Sequence, residues 1–344
     1  MVELEGALSE YTGARHVVGV NSGTDALVLL LRACGLRPGD EVVVPAFSFI
    51  ATASSVVLAG GRPVFADIDP DGYGLNPASV AAVAGPATRF VMPVHLFCET
   101  ADMAGLTAVA ARRGLTVVED SAEAIGMRHD GAHAGLLGAG GVLSFFPTKT
   151  LGAIGDAGAV LTDDPGIAEA VGALRHHGRF GPTIDNFPGI ATTTGLPGVN
   201  SKMDDIQAAV LLTKLGCLEA DIRRRALLAD RYAERLAGVP GVRRLPSVRP
   251  GVRGVFYVYV IEVERRDELA AHLASRGVET EIYYPRPLHL QPCFAELGHE
   301  PGDFPNAEKA CRHTLALPLY PDLPIGDVDR VCAEIEGFYS GRPE

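Results

Sequence analysis

The feature that most restricts the fold is a regular alternation of short apolar runs with helix-patterned segments through the first 162 residues. ARHVVGV (14–20), EVVVP (41–45), RPVFADI, TRFVMPVHL, LTVVEDSA, GVLSFF and AGAVLT read as buried strands, short and bounded by Gly, Pro, Asn or Ser. NSGTDALVLLLRACG, a stretch from about Ser48 to Ala59, NPASVAAVA and TADMAGLTAVAARRG lie between them with apolar residues at helical spacing. Such succession predicts an α/β fold with a mostly parallel central sheet and helices on both faces. VELEGALSEY predicts a short helix ahead of the first strand, stopped at Gly13.

Beyond 162 the pattern changes. PGIAEAVGALRHHG predicts a helix, and RFGPTIDNFPGIATTTGLPGVNSK is rich in Gly, Pro, Thr and Asn, the mark of a functional loop or a disordered segment. KMDDIQAAVLLTKLGCLEADIRRRALLADRYAERL resumes helical spacing as two helices hinged near Gly216. A chain of 344 residues, 47% of them hydrophobic, can bury one large core and a smaller one. We place the large domain at 1–238 and a smaller C-terminal α+β domain at 239–344. The latter shows strand GVFYVYVIEVE, helix RDELAAHLASRG, strand VETEIYY and a final helix from Asp327.

Charge narrows the function. A formal net charge of -12 argues against a nucleic-acid or anionic-membrane surface, which would need clustered Lys and Arg. Cys34, Cys98, Cys217, Cys293, Cys311 and Cys332 are scattered without metal-site spacing, so reduced thiols and no metal are expected. The acidic N-terminus lacks a signal-peptide core, and no apolar run reaches the ~20 residues of a membrane span. A cytoplasmic protein is expected.

Four local features carry chemistry. GVLSFFPTKTLGAIGDAGAVLT places Lys149 at the mouth of the sheet, just past a buried strand. Low dielectric disfavours a charged amine, and a neutral amine is what attacks an aldehyde; the plainer reading is a solvated loop lysine. Asn21, Ser22, Gly23 and Thr24 join a strand to a helix N-terminus, which is either an ordinary cap or an anion site. Phe47 and Phe49 follow a strand end, where a flat ring can stack on a flat ligand. Asp120 stands at the tip of LTVVED, partly dehydrated, and calls for a cation: a salt-bridge partner or a protonated pyridine. One cofactor asks for all four, pyridoxal 5'-phosphate (PLP), with its phosphate, flat ring, ring nitrogen and aldehyde.

In order along the chain, YTGARHVVGVNSGTDAL, EVVVPAFSFIATASSV, PVHLFCETADM, VVEDSAEAIG, SFFPTKTLGAIGDAGAV, GVNSKMDDIQAAVL and YYPRPLHLQP resemble the blocks of the DegT-type PLP-dependent aminotransferases. Those enzymes aminate keto sugars, usually nucleotide-linked, in the aspartate-aminotransferase fold (fold type I). The resemblance implies that Lys149 holds PLP as an internal aldimine and then moves the proton, that Asp120 pairs with the ring nitrogen, and that Phe49 stacks on the ring. It puts Gly23, Thr24 and Ser144 on the phosphate. Asn200, with Lys202 as second choice, would reach the phosphate of a neighbouring subunit in a homodimer. Glu123 stands where many relatives have Gln or His near the ring hydroxyl. His95, Tyr283 and His289 fall where relatives meet substrate. The implied reaction is ping-pong: L-glutamate or glutamine gives its amine to PLP, and the pyridoxamine form aminates the keto sugar.

The chain departs from the family pattern at Lys202, where Arg is usual, and at GDAG (155–158), where Gly-Asp-Gly-Gly is usual. Relatives carry a further segment before the first helix, so a truncated start or a more open cleft is expected here. A dehydratase-like branch typically has His in place of the lysine, and Lys149 speaks against it. A non-catalytic regulator of the same fold is the other alternative. A dinucleotide oxidoreductase fails because NSGTDAL, not GxGxxG, follows the first strand.

Overall fold

A computed structural model describes residues 1–180 and 194–341; most of the Gly-, Pro- and Thr-rich stretch after Arg179 lies outside the described residues. The alternation becomes strands β1 (His16–Val20), β2 (Glu41–Pro45), β3 (Arg62–Ala66), β4 (Thr88–Val91) and β5 (Thr116–Asp120). A two-residue hairpin, β6 (Arg128–His129) and β7 (Ala132–His133), precedes β8 (Gly140–Ser144) and β9 (Gly158–Thr162). Among the described residues, the central sheet has seven strands in the order β1-β9-β8-β5-β4-β2-β3.

Every pairing in that sheet is parallel except those of β9, which runs against both β1 and β8. The cause lies in residues 145–157, which hold the Lys149 turn instead of a crossover helix, so the chain folds straight back. Both faces of the sheet are covered. Val142 of β8 joins one core cluster with Leu30, Phe47, Phe65 and Val118, while its neighbour Leu143 joins another with Leu4, Leu8, Ile125 and Leu211. That two-sided burial explains why these strands read as continuous apolar runs.

The helices are α1 (Val2–Thr12), α2 (Gly23–Ala33), α3 (Ile50–Ala59), α4 (Pro77–Val83), α5 (Met103–Arg113), α6 (Pro165–Leu174), α7 (Asp205–Leu215) and α8 (Leu218–Leu236). Their ends follow local chemistry. Gly13 closes α1 at φ 86, and Asn76 accepts from the backbone N–H groups of Ala78 and Ser79 at the start of α4.

The smaller unit is an antiparallel sheet of β10 (Val242–Arg244), β12 (Tyr259–Val263) and β13 (Thr314–Leu317), packed on α9 (Arg266–Ser275) and α11 (Ile325–Ser340). Leu228, Tyr232 and Leu236 of α8 fill the same core. β11 (Val252–Arg253) pairs with β6, and α10 (Pro305–His313) packs Ala307 and Ala310 against the large core.

Two strand expectations shorten here. Of GVFYVYVIEVE only Tyr259–Val263 is strand, and VETEIYY makes a single bridge, Glu281 to Ala316. In both places the β-rich composition gives way to aromatic packing: Tyr257, Tyr283 and Tyr284 turn away from the small sheet and toward Lys149 and Phe97.

One buried carboxylate ties the sheet edge to its loops. Glu119 is fully buried and accepts from His95 Nε2 (2.8 Å) and from the backbone N–H groups of Gly135, Leu137 and Gly138 (2.8, 2.7 and 2.7 Å). Glu119→Ala would orphan all four donors, so we expect a loss of about 3–5 kcal/mol in unfolding free energy, read from urea denaturation.

Candidate active site

Strand register sets the site. Val20 is level with Gly158, and Gly158 with Ser144; one strand further on, Asp120 is level with Val142. The NSGT turn, Ser144, the Lys149 turn and Asp120 therefore emerge at one sheet edge, the carboxyl end of the parallel strands. Close backbone approach seals it. A Cβ on Gly158 would sit 2.5 Å from the Ser22 carbonyl and 2.7 Å from Gly23 N, and a Cβ on Gly23 would sit 2.8 Å from the Ser144 Cβ. Ser22 caps α2 by accepting from Asp25 N at 3.1 Å, and the first residues of the helix have no intrahelical acceptor for their N–H groups.

Lys149 follows from a tight turn in which its N–H donates to Phe146 O (2.8 Å). Its Nζ donates to Glu123 Oε1 at 3.1 Å and lies 4.4 Å from the centre of the Tyr257 ring. The other Glu123 oxygen accepts from Phe97 N at 3.0 Å. The Tyr257 hydroxyl meets Thr148 Oγ1 at 3.2 Å. Aromatic rings close the far side. Phe97 and Tyr284 stack at 6.2 Å, both in the left-handed backbone region (φ 63 and 58), where a bulky residue is strained.

Asp120 is 5% exposed. Its Oδ2 accepts from Thr52 Oγ1 (2.7 Å), which also contacts Ser48 Oγ (2.8 Å), and its Oδ1 accepts from Ala122 N (3.3 Å). Burial pushes its carboxyl above the ordinary range, against the pull of Thr52, Ala122 and the Lys149 charge. Such a carboxylate is completed by a cation. Phe49, at the N-cap of α3, is 57% exposed, with its ring 6.4 Å from Tyr284. Phe47 is fully buried in the core.

The structure thus brings together Lys149, Asp120, Glu123, Gly23, Ser144 and Tyr283, with Thr24 in the first turn of α2. Asn200 and Lys202 lie beside the outer edge of β1: Lys202 bridges Val20, and its Nζ bonds Asn200 Oδ1 (2.8 Å) and His176 Nδ1 (3.0 Å).

Two of the residues expected near substrate are buried. His95 is 0% exposed, with Nε2 on Glu119 and Nδ1 accepting from Ala101 N (3.2 Å), so both nitrogens are committed to the scaffold. His289 is 1% exposed among Phe65, Phe304 and His299, with Nε2 3.4 Å from Glu308, on the side of the sheet where β3 forms the edge. Sequence reasoning missed Thr52, Tyr257, Phe97 and Tyr284. Thr52 was legible as the same-face partner of Ser48 at i, i+4 on a helix next to a strand end; the three aromatics reach the site through tertiary folding alone.

With this geometry in view, the family model for the DegT/DnrJ/EryC1/StrS aminotransferase family matches residues 1–336. The chain belongs to that family. Members are PLP-dependent sugar aminotransferases. One DegT-family relative, the dTDP-3-amino-3,4,6-trideoxy-alpha-D-glucose transaminase of Streptomyces venezuelae, is 41% identical over 93% of this chain and 83% of its own length. A protein of Geobacillus stearothermophilus named pleiotropic regulatory protein is 40% identical over 98% of this chain and 88% of its own. The crystal structure of S. venezuelae DesV in complex with a ketimine intermediate superposes with a TM-score of 0.93 at 39% identity, covering all of this chain and 90% of that one. The DegT-family fold and transaminase class follow from these matches. Ala157 of the GDAG departure is buried in the core, and its carbonyl accepts from Phe145 N (2.8 Å).

The residues present fit PLP. Gly23 and Gly158 let the start of α2 close tightly on β9 and Ser144, where added side-chain atoms would collide, and Asp120 is a buried carboxylate suited to a ring cation. Among the described residues, no group of three or more His, Cys, Asp or Glu is placed to hold a metal, and no helix is long and apolar enough to cross a membrane. The raised Asp120 pKa has a thermodynamic consequence: its contribution to stability is fully present below the ordinary carboxyl range and is lost as pH rises through the folded value. With no cofactor added, Asp120→Asn should therefore be more resistant to urea than the parent chain at pH 8, with the difference shrinking as pH falls toward 4.

Proposed function

We propose that this protein transfers an amino group from L-glutamate or glutamine to a keto sugar, the nucleotide-linked class first, by a ping-pong reaction on PLP. The observation that carries the reading is that the Lys149 turn, Asp120 and the close Gly23–Ser144 approach all follow the carboxyl ends of neighbouring strands. PLP would supply the aldehyde that accepts the amine and the ring that takes up the electron pair. Lys149 is the amine for that aldehyde and the base that moves the proton, held from below by Glu123. Asp120 keeps the ring nitrogen protonated, and its own desolvation is relieved by that charge. Backbone N–H groups at Gly23 and Thr24, with the Ser144 hydroxyl, bind the phosphate. Phe49 offers an exposed ring face for stacking, and Tyr283 lies over the Lys149 side of the cleft, where the acceptor would enter.

We further propose a cytoplasmic homodimer with the site at its interface, where Asn200 and then Lys202 reach the partner's phosphate. Exposed Phe146, Ile154 and Ile206 support this: they flank the Lys149 turn, with Ile154 N bonded to Gln207. A regulatory role is the second reading, favoured by the name of the Geobacillus relative. It has no use for a lysine and a buried acid set around a cofactor cradle.

The protein loaded with PLP should show an imine absorbance band that borohydride bleaches onto Lys149 and that shifts when glutamate is added. Lys149→Ala should lose the borohydride adduct and slow the glutamate half-reaction by about 10³-fold or more. A parent chain that binds PLP without forming the adduct would instead favour the regulator.

A further inference from the structure

The Lys149 head group rests in a receptacle that the transfer reaction does not by itself require. Its Nζ contacts one Glu123 oxygen at 3.1 Å and stands over the Tyr257 ring at 4.4 Å from the centroid, within the ~6 Å reach of a cation–π contact. Tyr257 is 6% exposed, so the ring is shielded from water, where such contacts are strongest.

Its position is fixed from several directions. The Tyr257 N–H donates to Phe97 O (3.2 Å), and its carbonyl accepts from buried Arg225 of α8 (3.0 Å). Its hydroxyl is held by Thr148. Phe97 also supplies the N–H that anchors the second Glu123 oxygen, so ring and carboxylate share one strained support. Two unrelated segments of the chain are thereby set around one ammonium.

We propose that Tyr257 is a positioning residue which, with Glu123, docks the Lys149 ammonium whenever that side chain is not covalently engaged. This rests on the PLP reading above and extends it to the resting place of the released lysine. The released amine needs a defined position, because it must return to the same carbon to move a proton and later to expel the product. A carboxylate on one side and a π face on another hold the ammonium by charge while leaving its stem free to swing. Forming the covalent link to PLP then means leaving this dock, whereas binding pyridoxamine phosphate does not.

That difference gives a readout separate from turnover. In the full-length chain, Tyr257 is replaced by Phe and then by phenylalanines bearing one, two and three ring fluorines, which keep the ring's shape while draining the charge of its face. Affinities for PLP and for pyridoxamine phosphate are measured for each. Affinity for PLP should climb about three- to tenfold relative to pyridoxamine phosphate across the series, because the dock that Lys149 leaves is weaker. Tyr257→Phe alone should stay within about twofold of the parent. A flat ratio, or equal shifts for both ligands, would overturn the proposal, since the ring would then only pack. A full shift already present in Tyr257→Phe would overturn it too, assigning the effect to the hydroxyl. If the parent chain forms no borohydride-fixed adduct, the PLP reading itself fails; a normal adduct with a flat ratio sinks only the role of Tyr257.

Discussion

The level ends of β1, β9 and β8 are the constraint from which the rest of the site follows. Because β9 returns antiparallel between two strands that point the same way, Gly158 is placed directly between Val20 and Ser144. No other residue could stand there without displacing the backbone of Ser22 and Gly23. The outcome is a close-packed wall in which the start of α2 lies against Gly158 and Ser144.

One strand across, a different kind of force takes over. Asp120 has been carried out of water by β5 and given only a hydroxyl and one N–H in return. The lysine beside it is committed to Glu123, which leaves Asp120 to seek its cation elsewhere. The separation is enforced by backbone that local preference would not choose. Phe97 adopts a left-handed conformation whose N–H fixes Glu123, and Tyr284 adopts another that stacks upon it. Strain of this sort persists only where surrounding packing imposes it, and here the packing is an aromatic cluster of Phe47, Tyr73, Phe97, Tyr283 and Tyr284.

The chain belongs to the DegT/DnrJ/EryC1/StrS family. Within it, the Glu123 carboxylate takes up the Lys149 ammonium. The small unit also reaches into the site, since Arg225 on α8 fixes the carbonyls of Phe256, Tyr257 and Leu319 together.

By itself the sequence determined the strand and helix succession, the cap at Ser22, the strand-end acid at Asp120 and the lysine after β8. Each is a local matter of periodicity or of a residue type at an element boundary, and short-range chemistry settles it. Tertiary structure alone decided that His95 and His289 are buried, because Glu119 meets the first and Phe65 and Phe304 pack on the second. It also decided that Tyr257 and Tyr283 leave an apparent strand to surround Lys149. A β-favouring run states only that its residues suit a half-buried surface; which surface they meet is fixed when the two units pack.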